Sequence, residues 1–214
     1  MDEEITIIDK NTRNEKIKKF FVNNKKKLII IISIIFLTLL GYLSFDQIKK
    51  MNKIKLANQF NSVIINFKLG EKDKIIEELY NIINKKDATY SPLAAYFLIE
   101  NKLIKDNKEI NNLFDILINE TNLEKEIKNL IIYKKALYNS NTATENDLIK
   151  ILNPIINSES IWKSHSLYLM AEYFYFNNEK NKSKEFFNKI LVLTNSNRDI
   201  TLKSKQRLNR DFGE

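Results

Sequence analysis

Residues 28–45 read LIIIISIIFLTLLGYLSF, eighteen positions without a charged side chain. At about 1.5 Å of rise per residue, a helix of this length spans roughly 27 Å, close to the thickness of the hydrocarbon core of a bilayer. The basic triplet Lys25, Lys26 and Lys27 comes directly before it. The run predicts a single membrane-spanning helix at 28–45, between a basic tail, 1–27, and a long domain, 46–214.

Two other interpretations of this run remain open. A cleaved signal peptide also begins with a basic and then an apolar segment, but its apolar part has roughly 7–15 residues and a small-residue cleavage site follows. Here the run is longer and ends in GYLSF without such a site. A core helix of a soluble domain would usually have a polar side, whereas this run has only four small or weakly polar residues that lipid tolerates: Ser33, Thr38, Gly41 and Ser44. We expect the run to be retained as an anchor.

The charges on either side of the run predict its orientation. Lysine and arginine near a membrane span are retained on the cytoplasmic side. Seven basic residues lie within fifteen positions before the run, and four lie in the matching window after it. We therefore expect a single-pass membrane protein with the tail in the cytoplasm and 46–214 outside it, in the periplasm if the cell has two membranes.

The net charge of +8 is a weak indication of a nucleic-acid partner. Only four of the 35 basic residues are arginine, the side chain that best forks onto phosphate. Eight basic and five acidic residues precede position 46, which leaves 27 basic and 22 acidic residues spread along 46–214. The sequence predicts no nucleic-acid binding.

The side chains that usually perform catalysis are scarce. The chain has no cysteine, which excludes disulfides, thiol catalysis and a lipidated cysteine, and His165 is its only histidine. Neither a glycine-rich phosphate loop nor a nucleophile elbow occurs. The acidic pairs Glu77-Glu78 and Glu124-x-Glu126 are more typical of solvated helix faces than of paired catalytic carboxylates. We expect no enzyme, no metal, no cofactor and no small-molecule substrate.

After the run, apolar residues recur at spacings of three and four, and no stretch alternates as a strand does. With few Gly and Pro, the breaks are marked mostly by Asn, Lys and Asp. Nothing interrupts the pattern up to Leu69, so we expect the anchor helix to continue into the first helix of the domain. The pattern predicts helices near 47–69, 73–85, 91–105, 109–121, 124–138, 145–156, 160–177, 181–194 and 198–210.

The helices come in pairs at a nearly constant interval. The turns inside successive pairs fall near Gly70, Asn107, Asn141 and Asn178, at intervals of 37, 34 and 37 residues. A tetratricopeptide repeat (TPR) occupies about 34 residues. The predicted fold is all-α: a single N-terminal transmembrane helix, then a TPR-like α-solenoid of about four helix pairs with 198–210 as a polar capping helix. The alternative is an irregular helical bundle whose periodicity is accidental.

The last full pair fits the repeat best. Its helices combine small residues near a close crossing with large apolar ones around it: Leu167, Met170, Ala171 and Phe174 on the first, and Ser183, Phe187 and Ile190 on the second. The middle pairs fit less well. Asp115 or Ile116 falls where the repeat would have an aromatic residue, and Pro92 and Pro154 are not at the usual end of a repeat.

This arrangement resembles a family, the YfgM-like ancillary subunits of the SecYEG translocon, which have a cytoplasmic tail, one anchor and a periplasmic TPR-like domain. The resemblance covers the layout from Lys25 through Phe45 and the helix continuing through ANQF at 57–60. It is clearest in IWKSHSLYLMAEYFYFNNEKNKSKEFFNKIL at 161–191, which looks like the final repeat, and in RDITLKSKQRL at 198–208, which looks like the closing helix. Ser183 and Asn178 depart from the small residue and the glycine usual at those places.

The resemblance implies a non-enzymatic scaffold in the inner membrane. Its partners would be the SecYEG channel and a membrane-anchored periplasmic chaperone, which it would assist during protein export. The alternative is a scaffold that coordinates envelope assembly or cell division, because similar repeats also serve there.

In a solenoid of helix pairs, the first helix of each pair lines the concave side. If the apolar residues of 160–177 pack inward, a second face of this helix projects toward the groove and predicts a protein-binding site: His165, Tyr168, Glu172, Tyr175 and Phe176. Exposed aromatic residues are typical of such sites. These aromatics could instead complete the core between repeats, and for Trp162 we expect the core position.

The tail contains EKIKKFF at 15–21. It could form a short amphipathic helix on anionic lipid, with Ile17, Phe20 and Phe21 inward. It could equally be only the basic retention signal that sets the topology.

Overall fold

A computed structural model describes residues 15–69 and 72–213. Over these residues every secondary-structure element is a helix, and no strand occurs. A short helix, α1, covers 15–23. The remaining helices are α2 (Lys25–Leu69), α3 (Lys72–Ile83), α4 (Tyr90–Glu100), α5 (Asn107–Asn119), α6 (Lys125–Asn139), α7 (Glu145–Ile156), α8 (Lys163–Phe176), α9 (Lys180–Leu191) and α10 (Arg198–Phe212). The all-α prediction is confirmed for this part of the chain. The predicted turn at Gly70 and the basic residues up to Arg13 lie outside the described residues.

The chain divides into two compact units, of which the first ends at Lys55 and the second begins at Leu56. The first contains the apolar run, which is helical throughout, as predicted. The large apolar side chains of this run from Ile29 to Phe45 are 44–71% exposed. The most apolar eighteen-residue window of the helix has a mean hydropathy of 2.6, and none of its residues is buried. By length and composition this helix is able to cross a membrane, and it is not a core helix of the described chain.

The second unit, from Leu56 onward, has three clusters of buried apolar side chains. The first joins Val63 of α2 to α3, α4, α5 and Ile131 of α6. The second lies between α6, α7 and α8, and the third between α8, α9 and α10. Each helix from α3 to α10 packs on the next, so the core is built from neighbours in sequence.

Side-chain caps explain where several helices begin. The carboxylate of Asp106 accepts a hydrogen bond from the backbone N–H of Lys108 at the start of α5, and Thr144 accepts one from Asp147 at the start of α7. Asn197 accepts two from the first turn of α10. Such caps satisfy N–H groups that have no partner inside a helix. The breaks predicted at 106–108, 139–142 and 194–197 lie at or next to these starts.

Residues other than glycine end two helices in the left-handed conformation. Lys102 (φ 54°) follows α4, and Asn178 (φ 61°) follows α8. In each case the next residue donates its N–H to a carbonyl five positions earlier: Leu103 to Leu98 at 3.0 Å and Glu179 to Phe174 at 2.8 Å. This is the pattern of a Schellman cap, in which glycine is most common. The departure from glycine at Asn178 is therefore compatible with the turn.

The helices recur at a nearly constant spacing. The helices α3, α5, α7 and α9 begin 35, 38 and 35 residues apart, and α4, α6, α8 and α10 repeat the same intervals. Alternate helices also touch: Tyr80 of α3 donates a hydrogen bond to Glu109 of α5, and Lys182 of α9 pairs with Glu145 of α7 at 2.8 Å. Among the even-numbered helices, the ammonium group of Lys134 (α6) lies 4.0 Å from the ring centre of Tyr96 (α4). The helix α8 contacts both α6 and α10.

In the middle pairs, one core residue lies at a different position from the one expected from the repeat pattern. The aromatic side chain that α5 contributes to the core is Phe114, one residue before the expected place, and its ring packs against Tyr96 and Tyr138. Asp115 instead forms an ion pair with Lys135 of α6 at 2.7 Å.

Candidate binding groove between α8 and α10

The five predicted site residues lie on one side of α8. At 100° per residue they fall within an arc of about 100° around the helix axis. The opposite side buries Leu167, Met170, Ala171 and Phe174 in the second and third clusters, as predicted. The structure separates the five into three environments.

His165 lies in an aromatic cluster. Its ring centre is 5.1 Å from that of Trp162 and 5.9 Å from that of Tyr133, and the last two rings stack at 5.9 Å. Trp162 packs against the second cluster and donates its indole N–H to the carbonyl of Glu126 at 3.1 Å. Burial lowers the pKa of His165. This imidazole is therefore a neutral ring packed between α6 and α8.

Glu126 fixes the start of this segment. Its carboxylate accepts hydrogen bonds from the Ser160 hydroxyl at 2.7 Å and from the Ile161 N–H at 3.2 Å. Glu126 is partly exposed, and beyond the solvated face expected for the Glu124-x-Glu126 pair its carboxylate also holds the loop before α8.

Tyr168 and Glu172 line a groove of about 830 Å³ together with residues of α10: Lys203, Gln206, Arg207, Asn209 and Arg210. Burial and the neighbouring carboxylate of Glu172 raise the pKa of Tyr168 to about 12. The Tyr168 hydroxyl therefore stays protonated at neutral pH and is a hydrogen-bond donor beside a carboxylate.

Arg207 forms the inner wall of this groove. Its guanidinium carbon lies 4.3 Å from the ring centre of Tyr175 and 5.7 Å from that of Phe187, a cation–π arrangement. Its Nη2 lies 3.0 Å from Oε2 of Glu172, and its Nε lies 3.1 Å from Oδ2 of Asp211. Neither contact has the angles of a hydrogen bond, so charge and stacking hold this side chain, which is only 16% exposed.

The structure thus brings Tyr168, Glu172 and Tyr175 together around Arg207. Phe176, at the end of α8, is 82% exposed. The contribution of α10 was missed, because its basic residues suggested only a polar cap. The spacing of Lys203, Arg207 and Arg210, at i, i+4 and i+7, places all three on one side of a helix and could have indicated a shared surface.

A second groove, of about 670 Å³, opens between α5, α6 and α7. Its floor includes a reciprocal pair of amide hydrogen bonds between Asn111 and Asn139, at 3.0 and 2.8 Å. The ion pair between Lys135 and Asp115 lies beside them. These four side chains are therefore engaged with one another.

The groove between α8 and α10 combines three cationic side chains, one carboxylate, two side-chain amides and a tyrosine hydroxyl. Among the residues that the structure describes, no three histidine or carboxylate side chains are placed to hold a metal ion. The groups in the groove are suited to recognition of a polar or acidic chain. No protein-family model, no curated protein and no solved structure matches this chain.

Proposed function

We propose that this chain is a single-span membrane protein whose second unit is a TPR-like α-solenoid that binds another protein. The observation that carries the proposal is the nearly constant spacing of the helix pairs together with the contacts between alternate helices. Stacks of this kind bury their apolar faces between neighbours and leave an extended surface for a partner. The proposed role is non-enzymatic.

The groove between α8 and α10 is the proposed binding surface. Lys203, Arg207 and Arg210 outnumber the single lining carboxylate, Glu172, although Asp211 offsets part of the charge through two bonds to Arg210 at 2.7 and 3.0 Å. Arginine forks onto carboxylates and stacks on aromatic rings, and both abilities suit peptide recognition. The groove would take an extended segment of a partner that carries acidic side chains.

The membrane layout supports a specific form of this proposal. The apolar helix that precedes the domain is able to span a bilayer, and the charge bias favours a topology with 46–214 outside the cytoplasm. The resemblance to the ancillary subunits of the SecYEG translocon then suggests the channel and an anchored periplasmic chaperone as partners.

Photo-crosslinking in intact cells tests the proposal. A photoreactive amino acid at Lys203 faces the groove, whereas one at Lys205 lies about 200° around the same exposed helix. We expect adducts with translocon or chaperone subunits from position 203 and none from position 205, and we expect Lys203→Glu to weaken recovery of the same partners in mild detergent.

Two outcomes would overturn parts of this account. Identical adducts from both positions, or none from either, would exclude the groove as the binding surface. Adducts with cell-division or wall-synthesis proteins would favour the envelope-assembly role over the translocon.

A further inference from the structure

The short helix α1 (15–23) has an apolar side that is not buried. Ile17, Phe20 and Phe21 are 47%, 58% and 57% exposed. At 100° per residue they share an arc of about 100°, while Lys16 and Lys18 lie on its two borders and Lys19 on the far side. This is the distribution of a helix that lies in a membrane interface, with long cationic side chains reaching up from the borders to the headgroups.

The position of α1 in the chain supports a lipid partner. Only Asn24 separates α1 from α2, and Lys25, Lys26 and Lys27 lead directly into the apolar run. Residues 15–27 therefore contain six lysines and a single acidic residue, Glu15. Basic residues next to a span are attracted to anionic headgroups on the cytoplasmic leaflet.

Asn24 offers a point at which the chain can bend. It is the single position between α1 and α2 without helical assignment, although its backbone keeps the bonds of a helix: its N–H donates to the carbonyl of Phe20 at 3.0 Å, and its carbonyl accepts the N–H of Leu28 at 2.9 Å. Its side-chain amide donates to the same carbonyl of Phe20 at 3.0 Å. Asparagine side chains compete in this way with the backbone bonds of a helix. A straight continuation from the membrane would leave the apolar arc of α1 in water.

We propose that α1 lies on the surface of an anionic leaflet, with Ile17, Phe20 and Phe21 at the boundary of the acyl chains and the chain bending at Asn24. The inference rests on the proposed membrane-spanning role of 28–45. It assigns the tail a lipid-binding surface in addition to the retention of positive charge.

Because the chain has no cysteine, single introduced cysteines give unique labelling sites. Spin labels at Phe21→Cys and Val22→Cys form a matched pair, since these neighbours point to different sides of α1, and a label at Leu37→Cys reports on the span. The full chain would be reconstituted in vesicles of phosphatidylcholine with phosphatidylglycerol. Collision rates with oxygen, which enters lipid, and with a water-soluble nickel chelate would then be compared.

We expect the ratio of oxygen to nickel collisions to be several-fold higher at position 21 than at position 22, and this difference to shrink in vesicles of phosphatidylcholine alone. Equal ratios at positions 21 and 22, or a difference that does not depend on phosphatidylglycerol, would overturn the inference about α1. If the label at position 37 is at the same time shielded from nickel, the membrane anchor itself is unaffected by that result. A label at 37 that is open to nickel would overturn the anchor as well.

Discussion

At the scale of single residues, buried serines fill positions where helices of the second unit cross. Ser183 of α9 and Ser204 of α10 are both fully buried, but only Ser204 has a partner, the carbonyl of Ile200 at 2.7 Å. The Ser183 hydroxyl has none. A buried hydroxyl without a hydrogen bond costs free energy that an apolar group of the same size does not.

Replacing each serine with alanine should therefore have opposite effects. We expect Ser183→Ala to raise the free energy of unfolding by about 1 kcal/mol, and Ser204→Ala to lower it by about 0.5–1 kcal/mol because a hydrogen bond is lost. Thermal unfolding followed by circular dichroism in detergent measures both. Since alanine has the higher helix propensity at both sites, the difference between the two variants is the informative quantity. A larger loss for Ser183→Ala than for Ser204→Ala would contradict the assignment.

The only histidine gives a second prediction at this scale. Burial lowers the pKa of His165 below its usual 6.5, so the unfolded chain binds a proton more readily than the native protein. The resulting stabilisation is present above pH 6.5 and is lost as the pH falls below that value. We expect the melting temperature to fall between about pH 7.5 and about pH 5.5, and His165→Phe to flatten this dependence. An equally steep fall in the variant would assign it to other groups.

The same residues show how far a sequence can define a site. Helical periodicity was sufficient to predict that Tyr168, Glu172 and Tyr175 share one side of α8. It could not distinguish them from His165, which the rings of Trp162 and Tyr133 cover. That difference depends on a neighbouring helix about 30 residues away, and periodicity within one helix contains no information about it.

At the scale of helices, the sequence predicted their number after the apolar run, and it predicted positions best where a cap ends the periodic pattern. The helix expected at 145–156 has those bounds, since Thr144 caps it. The helix expected at 91–105 ends earlier, at Glu100, because Lys102 adopts a left-handed conformation that lysine does not signal. The helix expected at 160–177 begins at Lys163, because the Ser160 hydroxyl accepts the N–H of Trp162 and holds a turn there.

The closing helix α10 gives a prediction at this scale. It contributes Ile200, Leu208 and Phe212 to the third cluster, and Arg207 covers the rings of Tyr175 and Phe187. In a stack of helix pairs each pair depends mainly on its neighbours. We expect deletion of residues 198–214 to speed hydrogen exchange in α8 and α9 by at least tenfold and to leave α3, α4 and α5 nearly unchanged. Uniform loss of protection across all helices would indicate one cooperative bundle in place of a repeat stack.

At the scale of the whole molecule, the proposed function combines a membrane helix, a stack of helix pairs and a basic groove. The first two were proposed from the sequence alone, because an uncharged run and a nearly constant interval between breaks are properties of the chain itself. The groove could not, because its walls come from α8 and α10, whose facing side chains lie about 35 residues apart. Tyr168 and Arg207 both pack on Phe187 of α9, so a third helix helps to position the two walls.

The orientation of the chain is the central claim of this account, because both proposed partners require the helical domain to lie outside the cytoplasm. A dual reporter fused after Glu214 in a bacterial host, consisting of alkaline phosphatase and a cytoplasm-specific β-galactosidase fragment, measures it directly. The account predicts phosphatase activity in the membrane fraction and no β-galactosidase activity, since the seven basic residues before the run hold the tail inside. β-Galactosidase activity without phosphatase activity would place residues 46–214 in the cytoplasm and contradict the proposed function.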